Sequence, residues 1–201
     1  MERKEYSAGA VKLSFWFIEF RKVVELLNDG KSNDQIKSLA LTENLFAVST
    51  TLRANQIFHT VTGRIKALDE SFISLFMRSD LATQKLFALV AAMAYDTLFF
   101  DFVYEVIREK MILGTYELSD SDVRIFFKDK QQQNEKVARW TDATLVRLGR
   151  CYKTMLYEAG VIDKAKSARK ILRPILDPEL VHWLEQNDMG AYVKALVGAR
   201  S

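Results

Sequence analysis

The sequence predicts an all-α protein, mostly helical, whose C-terminal part is winged-helix-like and contains at most a short β-ribbon. Eight glycines and two prolines in 201 residues are about 5% of the chain, against a usual share of roughly 12%. So few turn-forming residues exclude a many-stranded β fold. Apolar residues also recur at intervals of three and four along almost the whole chain. The chain length suits two small domains, expected at 1–78 and 79–201 and sharing one packed body.

The N-terminal part contains three helical patterns. Apolar residues repeat from residue 13 to 27, and Asn28-Asp29-Gly30 ends this helix. A short helix is predicted to begin near Ser32, and a longer one covers 47–68. The longer helix also has a polar side, formed by Arg53, Gln56, Thr60 and Arg64.

A long apolar segment follows, with Ser79-Asp80 as its N-terminal cap and Gly114 as its end. Its longest stretch without charge is 86–95, whereas a membrane span needs about 20 residues. Asp96 and Asp101 interrupt the run, and carboxylates are costly in lipid. We therefore expect a buried core helix and no membrane span.

The C-terminal part begins with a cap at Ser119 and Asp122, which predicts a helix of about three turns. A short helix over 135–140 comes next. Thr141 then caps a long helix that ends before Gly160. Residues 161–162 and 171–173 are predicted to form two short strands around a basic loop at 164–170, and a last helix begins at Asp177-Pro178-Glu179.

Positive charge is concentrated in this C-terminal part. Residues 134–174 contain ten Lys or Arg and four acidic residues, a net +6, while the rest of the chain carries −3. A basic tract on a weakly acidic body favours a polyanionic partner. The order helix, short helix, long helix and ribbon is that of a winged helix-turn-helix, in which the long helix enters the DNA major groove.

The long helix has an apolar arc and an opposite polar arc, with Val146 as an apolar residue on the polar side. Cations on the polar arc and in the basic loop would meet phosphates of double-stranded DNA. The candidate DNA-binding residues are Arg139, Thr144, Arg147, Arg150, Lys153, Thr154, Lys164, Lys166, Arg169, Lys170 and Arg173.

The sequence contains no pattern typical of an enzyme, and we predict no catalytic residues, cofactor, metal site or small-molecule substrate. His59 and His182 are isolated from other metal-ligand residues. Cys151 is the single cysteine; Arg150 beside it could lower the thiol pKa, but a half-buried structural residue is favoured. A lone cysteine without a signal-peptide pattern also predicts a cytoplasmic location.

Several segments together resemble the BrxA family, the small accessory proteins of BREX bacteriophage-exclusion systems. The similarity covers nearly the whole chain. It lies in Tyr6-Ser7-Ala8-Gly9-Ala10, Thr42-Glu43-Asn44-Leu45-Phe46, Ser49-Thr50-Thr51-Leu52-Arg53, Phe102-Val103-Tyr104-Glu105-Val106-Ile107-Arg108-Glu109-Lys110, Trp140-Thr141-Asp142-Ala143-Thr144 and Tyr157-Glu158-Ala159-Gly160-Val161-Ile162. The resemblance implies a cytoplasmic, all-helical, NusB-like protein that binds DNA beside BREX methyltransferase and ATPase components in phage defence. It assigns no individual DNA-contacting residue.

Two alternatives remain open from the sequence. A NusB-like body could bind RNA, either through the polar side of the 47–68 helix or through Arg3 and Lys4 in the N-terminal tail. The protein could instead be an interaction adaptor, whose basic tract binds an acidic patch on another BREX component.

Overall fold

The computed structural model describes residues 4–166 and 168–199. The chain is mostly helical with one two-stranded sheet, which confirms the predicted fold class. Its contacts separate two compact units, one formed by 15–95 and the other by 4–14 together with 96–199. The chain therefore passes between the two units twice, at 14–15 and at 95–96, and the domain division at 1–78 and 79–201 stays a prediction.

The unit at 15–95 contains only helices, among them the three predicted from the N-terminal sequence patterns. Ser32 and Gln35 form a reciprocal capping box, and the Thr50 hydroxyl accepts a hydrogen bond from the backbone N–H of Arg53. The helices are α1 Phe17–Asn28, α2 Asn33–Thr42, α3 Thr51–Ile65, α4 Phe72–Arg78 and α5 Leu81–Tyr95.

The polar side of α3 is largely packed into this unit. Arg64 is only 2% exposed, and its Nη1 donates a 2.6 Å hydrogen bond to the carbonyl oxygen of Phe15. Thr60 is also buried, and the Arg53 guanidinium lies 4.8 Å from the centre of the Trp16 ring. Thr60 and Arg64 are thus used by the fold, whereas Arg53 and Gln56 are half-buried, and RNA binding by this side stays a prediction. Arg3, the tail alternative, lies outside the described residues.

The long apolar segment is not one helix, which corrects the prediction for 81–113. The Asp96 carboxylate accepts hydrogen bonds from the backbone N–H groups of Leu98 and Phe99, so it caps a new helix. The chain continues as α6 Thr97–Phe102, a π-helical turn Val103–Ile107 and α7 Arg108–Ile112. Residues 86–94 of α5 are all buried, which confirms a core helix.

The break at Asp96 also leaves both helical parts of this segment short for a bilayer. Among the described residues, no single helix is long and apolar enough to cross a bilayer. Leu81–Tyr95 and Thr97–Ile112 meet the criteria of length and composition only when they are counted together.

The second unit contains the elements of the basic tract. Ser119 and Asp122 form the predicted capping box, while Thr141 and Asp177 accept backbone hydrogen bonds at the starts of their helices. A final helix after residue 189 was not predicted. After the 3-10 turn Gly9–Lys12 and the segments 97–112, the elements are β1 Glu117–Ser119, α8 Asp120–Gln133, α9 Glu135–Ala138, α10 Asp142–Glu158, β2 Ala168–Lys170, α11 Pro178–Gln186 and α12 Gly190–Val197.

The β-ribbon differs from the prediction in both register and partner. β2 pairs antiparallel with β1, with Leu118 opposite Arg169, and Ile162 and Ile171 form only an isolated bridge. The second predicted strand thus begins at residue 168 rather than 171, and most of its pairing is with a segment 49 to 53 residues earlier. β1 has three residues and one buried side chain, Leu118, so it has no alternating pattern that sequence could reveal.

α10 packs closely on α8 and on α6. Gly149 permits this approach, because a Cβ atom there would lie 2.6 Å from Val123 Cγ1. The buried Tyr152 ring packs against Phe99, Phe102 and Phe127, with the Phe99 ring centre 4.7 Å away. These contacts fix which side of α10 faces solvent.

Candidate nucleic-acid interface

The two arcs of α10 have the burial that the sequence predicted. The apolar arc is buried and consists of Leu145, Leu148, Tyr152, Met155, Leu156 and Ala159. Ala143, Arg147, Arg150, Thr154 and Glu158 are exposed on the opposite side. Val146 is 47% exposed on that side. The buried arc anchors the helix and leaves a polar arc free for a partner.

Arg147 and Arg150 are the two cations that project from the exposed arc. Within the described residues neither guanidinium forms an ion pair. The Thr154 hydroxyl donates to the carbonyl oxygen of Arg150. Thr144 is half-buried, and its hydroxyl lies 3.0 Å from that of Thr141 at the helix start. The arc therefore presents two arginines with donors not used by the fold.

Lys153 and Arg169 have a different environment, because both face Asp120 at the start of α8. Lys153 Nζ is 2.5 Å from Asp120 Oδ1, and Arg169 Nη1 is 3.6 Å from the same atom. Both cationic side chains are mostly buried. The hydrogen bond from Lys153 lowers the pKa of the Asp120 carboxyl. Two of the eleven candidate residues thus connect α8, α10 and β2, and a carboxylate offsets part of their charge.

The loop between α10 and β2, with the residues after β2, carries exposed cations. The Asp163 carboxylate accepts hydrogen bonds from the backbone N–H groups of Ala165 and Lys170, which shapes this loop. In the described part of the chain, none of the remaining candidate cations has an ion pair. They are exposed and comprise Arg139 after α9, with Lys164, Lys166, Lys170 and Arg173 around the loop.

The N-terminal segment is attached to this unit by an ionic cluster whose central members, Asp101 and Lys130, are buried. Tyr6 Oη donates to Asp101 Oδ2 at 2.5 Å, and Lys130 Nζ lies 2.6 Å from Glu105 Oε1 and 3.6 Å from Asp101 Oδ2. Burial lowers the pKa of Lys130, but the hydrogen bond to Glu105 and the two carboxylates raise it more. Lys130 and Asp101 are thus buried and paired within the unit, while the Glu105 carboxylate is exposed at the edge of the cluster.

In the described part of the chain, neither Cys151 nor the metal-ligand types of residue form a further reactive site. Burial raises the pKa of the half-buried Cys151 thiol, so the neighbouring Arg150 does not activate it. Among the described residues, no group of three or more His, Cys, Asp or Glu side chains is arranged to hold a metal ion.

The sequence-based reasoning missed an exposed side of α8. Arg124 and Lys128 are exposed there, and Ile125 is 59% exposed between them. A helical projection could have found it, since Ile125 is 200° from the buried Val123. With α10 these residues line a groove of about 730 Å³.

Comparison with known proteins decides the family. The BrxA family's sequence profile matches residues 4–188. The chain belongs to the BrxA family. A BrxA-family relative from Bacillus cereus (strain H3081.97), "BREX protein BrxA", is 40% identical over 182 residues, which are 90% of this chain and 91% of the relative.

The BrxA-family fold also matches a solved structure. An uncharacterized protein from Magnetospirillum magneticum has a TM-score of 0.80 at 19% identity, over 98% of this chain and all of that one. At this identity the likeness shows the fold alone.

Proposed function

We propose that this BrxA-family protein is a non-enzymatic accessory component of a cytoplasmic BREX phage-defence system, and that it binds double-stranded DNA through α10 and the loop before β2. The name of the Bacillus cereus relative supports the link to BREX. The observation that carries the DNA-binding part is the exposed arc of α10, where Arg147 and Arg150 lie on a helix whose other side is anchored in the core.

The order of elements supports a winged-helix mode of binding. α8, the short α9 and α10 precede β2, which pairs antiparallel with β1, and Ile171 directly after β2 forms an antiparallel bridge with Ile162. In helix-turn-helix proteins the recognition helix presents its N-terminal residues to base edges in the major groove. Ala143 and Thr144 occupy that position in α10, where small side chains permit close approach.

The charge distribution supports a contact dominated by phosphates. Arg147, Arg150 and four cations around the loop are exposed, and the described residues supply no carboxylate partner for them. Each neutralised phosphate contributes about −0.9 to the slope of log K against log salt concentration. Engagement of all six would give a slope of about −5, and partial engagement a proportionally smaller one.

The proposal is tested by titrating duplex DNA at several salt concentrations with wild type and with Arg147→Glu/Arg150→Glu. We expect weaker binding and a slope flatter by about 2, because two phosphate contacts are lost. Lys31→Glu/Lys66→Glu is the matched control, since it makes the same change in net charge at two exposed positions of the 15–95 unit. The control should bind almost as wild type, and circular dichroism checks the fold of both.

Equal DNA binding by both double variants would contradict the role of α10. Competition with RNA duplex of the same length separates DNA recognition from general binding of polyanions. Duplex DNA should compete better, because the A-form major groove of RNA is too narrow for side chains to read.

A further inference from the structure

The groove between α8 and α10 has an apolar floor and a charged rim, and both helices contribute to it. Buried Val123, Phe127 and Leu145 line its floor, while Ile125 and Val146 are 59% and 47% exposed along it. Exposed Ile125 and Val146 beside one concave space of about 730 Å³ provide apolar surface that a partner side chain can cover.

The rim gives the groove a net positive charge. Arg124, Lys128, Arg150 and Lys153 line it, against the carboxylates of Asp120 and Asp142. Lys153 is already bound to Asp120. Among the described residues, Arg124, Lys128 and Arg150 form no ion pair, so three cations remain available beside an apolar surface. The complementary ligand has carboxylates beside apolar side chains.

A protein segment meets both requirements better than DNA does. The sugar-phosphate backbone offers negative charge but no apolar group large enough to fill the groove, so its floor would stay wet. An amphipathic helix with acidic residues beside its apolar stripe buries the floor and pairs with the rim, the usual mode of helix-in-groove recognition. Burial of the exposed Ile and Val then adds to the electrostatic attraction.

We propose that the groove between α8 and α10 binds an acidic amphipathic helical segment of another BREX protein. The apolar side chains of that segment would pack on Ile125 and Val146, and its carboxylates would pair with Arg124, Lys128 and Arg150. This inference rests on the proposed place of the protein in a BREX system. Arg150 lines the groove and also belongs to the DNA-binding arc, whereas Arg147 does not line the groove. Partner and DNA therefore compete for one guanidinium.

The test uses the full chain and an array of overlapping peptides of about 20 residues, roughly six helical turns, that covers the other proteins of the same BREX system. Binding is expected for peptides with Asp or Glu beside an apolar stripe at helical spacing. The strongest of these is then measured by fluorescence anisotropy, in parallel with duplex DNA. Peptide binding should survive 0.5 M salt far better than DNA binding, because part of it is apolar.

Four variants separate the two surfaces. Ile125→Ser, on α8 and outside the DNA-binding arc, should weaken the peptide about tenfold and change DNA affinity by less than about twofold, since it alters no charge. Arg147→Ala should weaken DNA and leave the peptide unchanged. Arg150→Ala should weaken both, and the peptide should displace DNA from wild type. Lys128→Ala, on the exposed side of α8, provides a second groove variant that should weaken the peptide.

The failures of the two proposals are distinguishable. If no acidic amphipathic peptide binds, or if Ile125→Ser and Lys128→Ala bind it as wild type does, the groove proposal is wrong even where DNA binding stands. If Ile125→Ser instead loses DNA affinity, the groove belongs to the DNA interface. If wild type binds the peptide but not DNA, the proposed DNA-binding function is wrong.

Discussion

Gly149→Ala tests the close packing of α8 and α10, on which the orientation of the exposed arc depends. Replacement of Gly by Ala inside a helix ordinarily stabilises by about 1 kcal/mol. Here the new methyl group would lie 2.6 Å from Val123 Cγ1 and 3.5 Å from Phe127 Cε2. Val123 is buried and β-branched, so it cannot rotate away freely.

Overpacking of a core costs about 1–3 kcal/mol, which offsets or exceeds the gain in helix propensity. We therefore expect Gly149→Ala to leave stability unchanged or lower it by up to about 2 kcal/mol. Val123→Ala opens a space and should cost about 2 kcal/mol by itself. The double variant should lose about 1–2 kcal/mol less unfolding free energy than the two single variants lose together, since the added methyl group fills that space.

The measurement is urea-induced unfolding followed by circular dichroism for the four proteins of this cycle. Gly190→Ala serves as the control, because a Cβ at Gly190 meets nothing within 4 Å. It should be as stable as wild type or slightly more so. If Gly149→Ala is about 1 kcal/mol more stable than wild type, with no coupling to Val123, the two helices are not in close contact.

Three further outcomes follow from the charged and thiol groups. Pairing with Lys153 lowers the pKa of Asp120 in the folded protein. The ion pair therefore stabilises the fold above the unfolded pKa near 4, and this stabilisation is lost as pH falls through the lower, folded-state pKa. In acid-unfolding curves Asp120→Asn should lack this contribution, which is about 0.5 kcal/mol at a half-exposed site. Lys130→Met leaves Asp101 buried without its ammonium partner, and urea unfolding should show a loss of about 3–5 kcal/mol. The Cys151 thiol should react with iodoacetamide at pH 8 more slowly than in denaturant, and an equal rate would contradict its raised pKa.

Local signals in the sequence predicted the helix boundaries around the site. Ser119 with Asp122 and Thr141 before α10 are caps that act within three residues, and Gly160 has a positive φ of 81° directly after the helix end. The arcs of α10 followed from periodicity, which is also local. These features require no knowledge of distant segments.

One local signal was missed: the Asp96 carboxylate caps a new helix at Leu98 and Phe99, but it lies between two strongly apolar runs that together predicted a single helix. Features that depend on distant residues were not predictable from one sequence. β1 pairs with β2 across 49 to 53 residues, and Asp120 meets Lys153 across 33. The charge count therefore predicted a basic tract, but it could not show that Lys153 and Arg169 face a carboxylate.

The contact between α10 and DNA is tested most directly by site-specific photo-cross-linking of the full chain to duplex DNA. A photoreactive amino acid at Thr154, on the exposed arc, should form a cross-linked product that excess unlabelled duplex abolishes. The same residue at Leu52, 80% exposed in the 15–95 unit, is the control and should form almost none. Cross-linking from position 52 with none from position 154 would contradict the proposed interface.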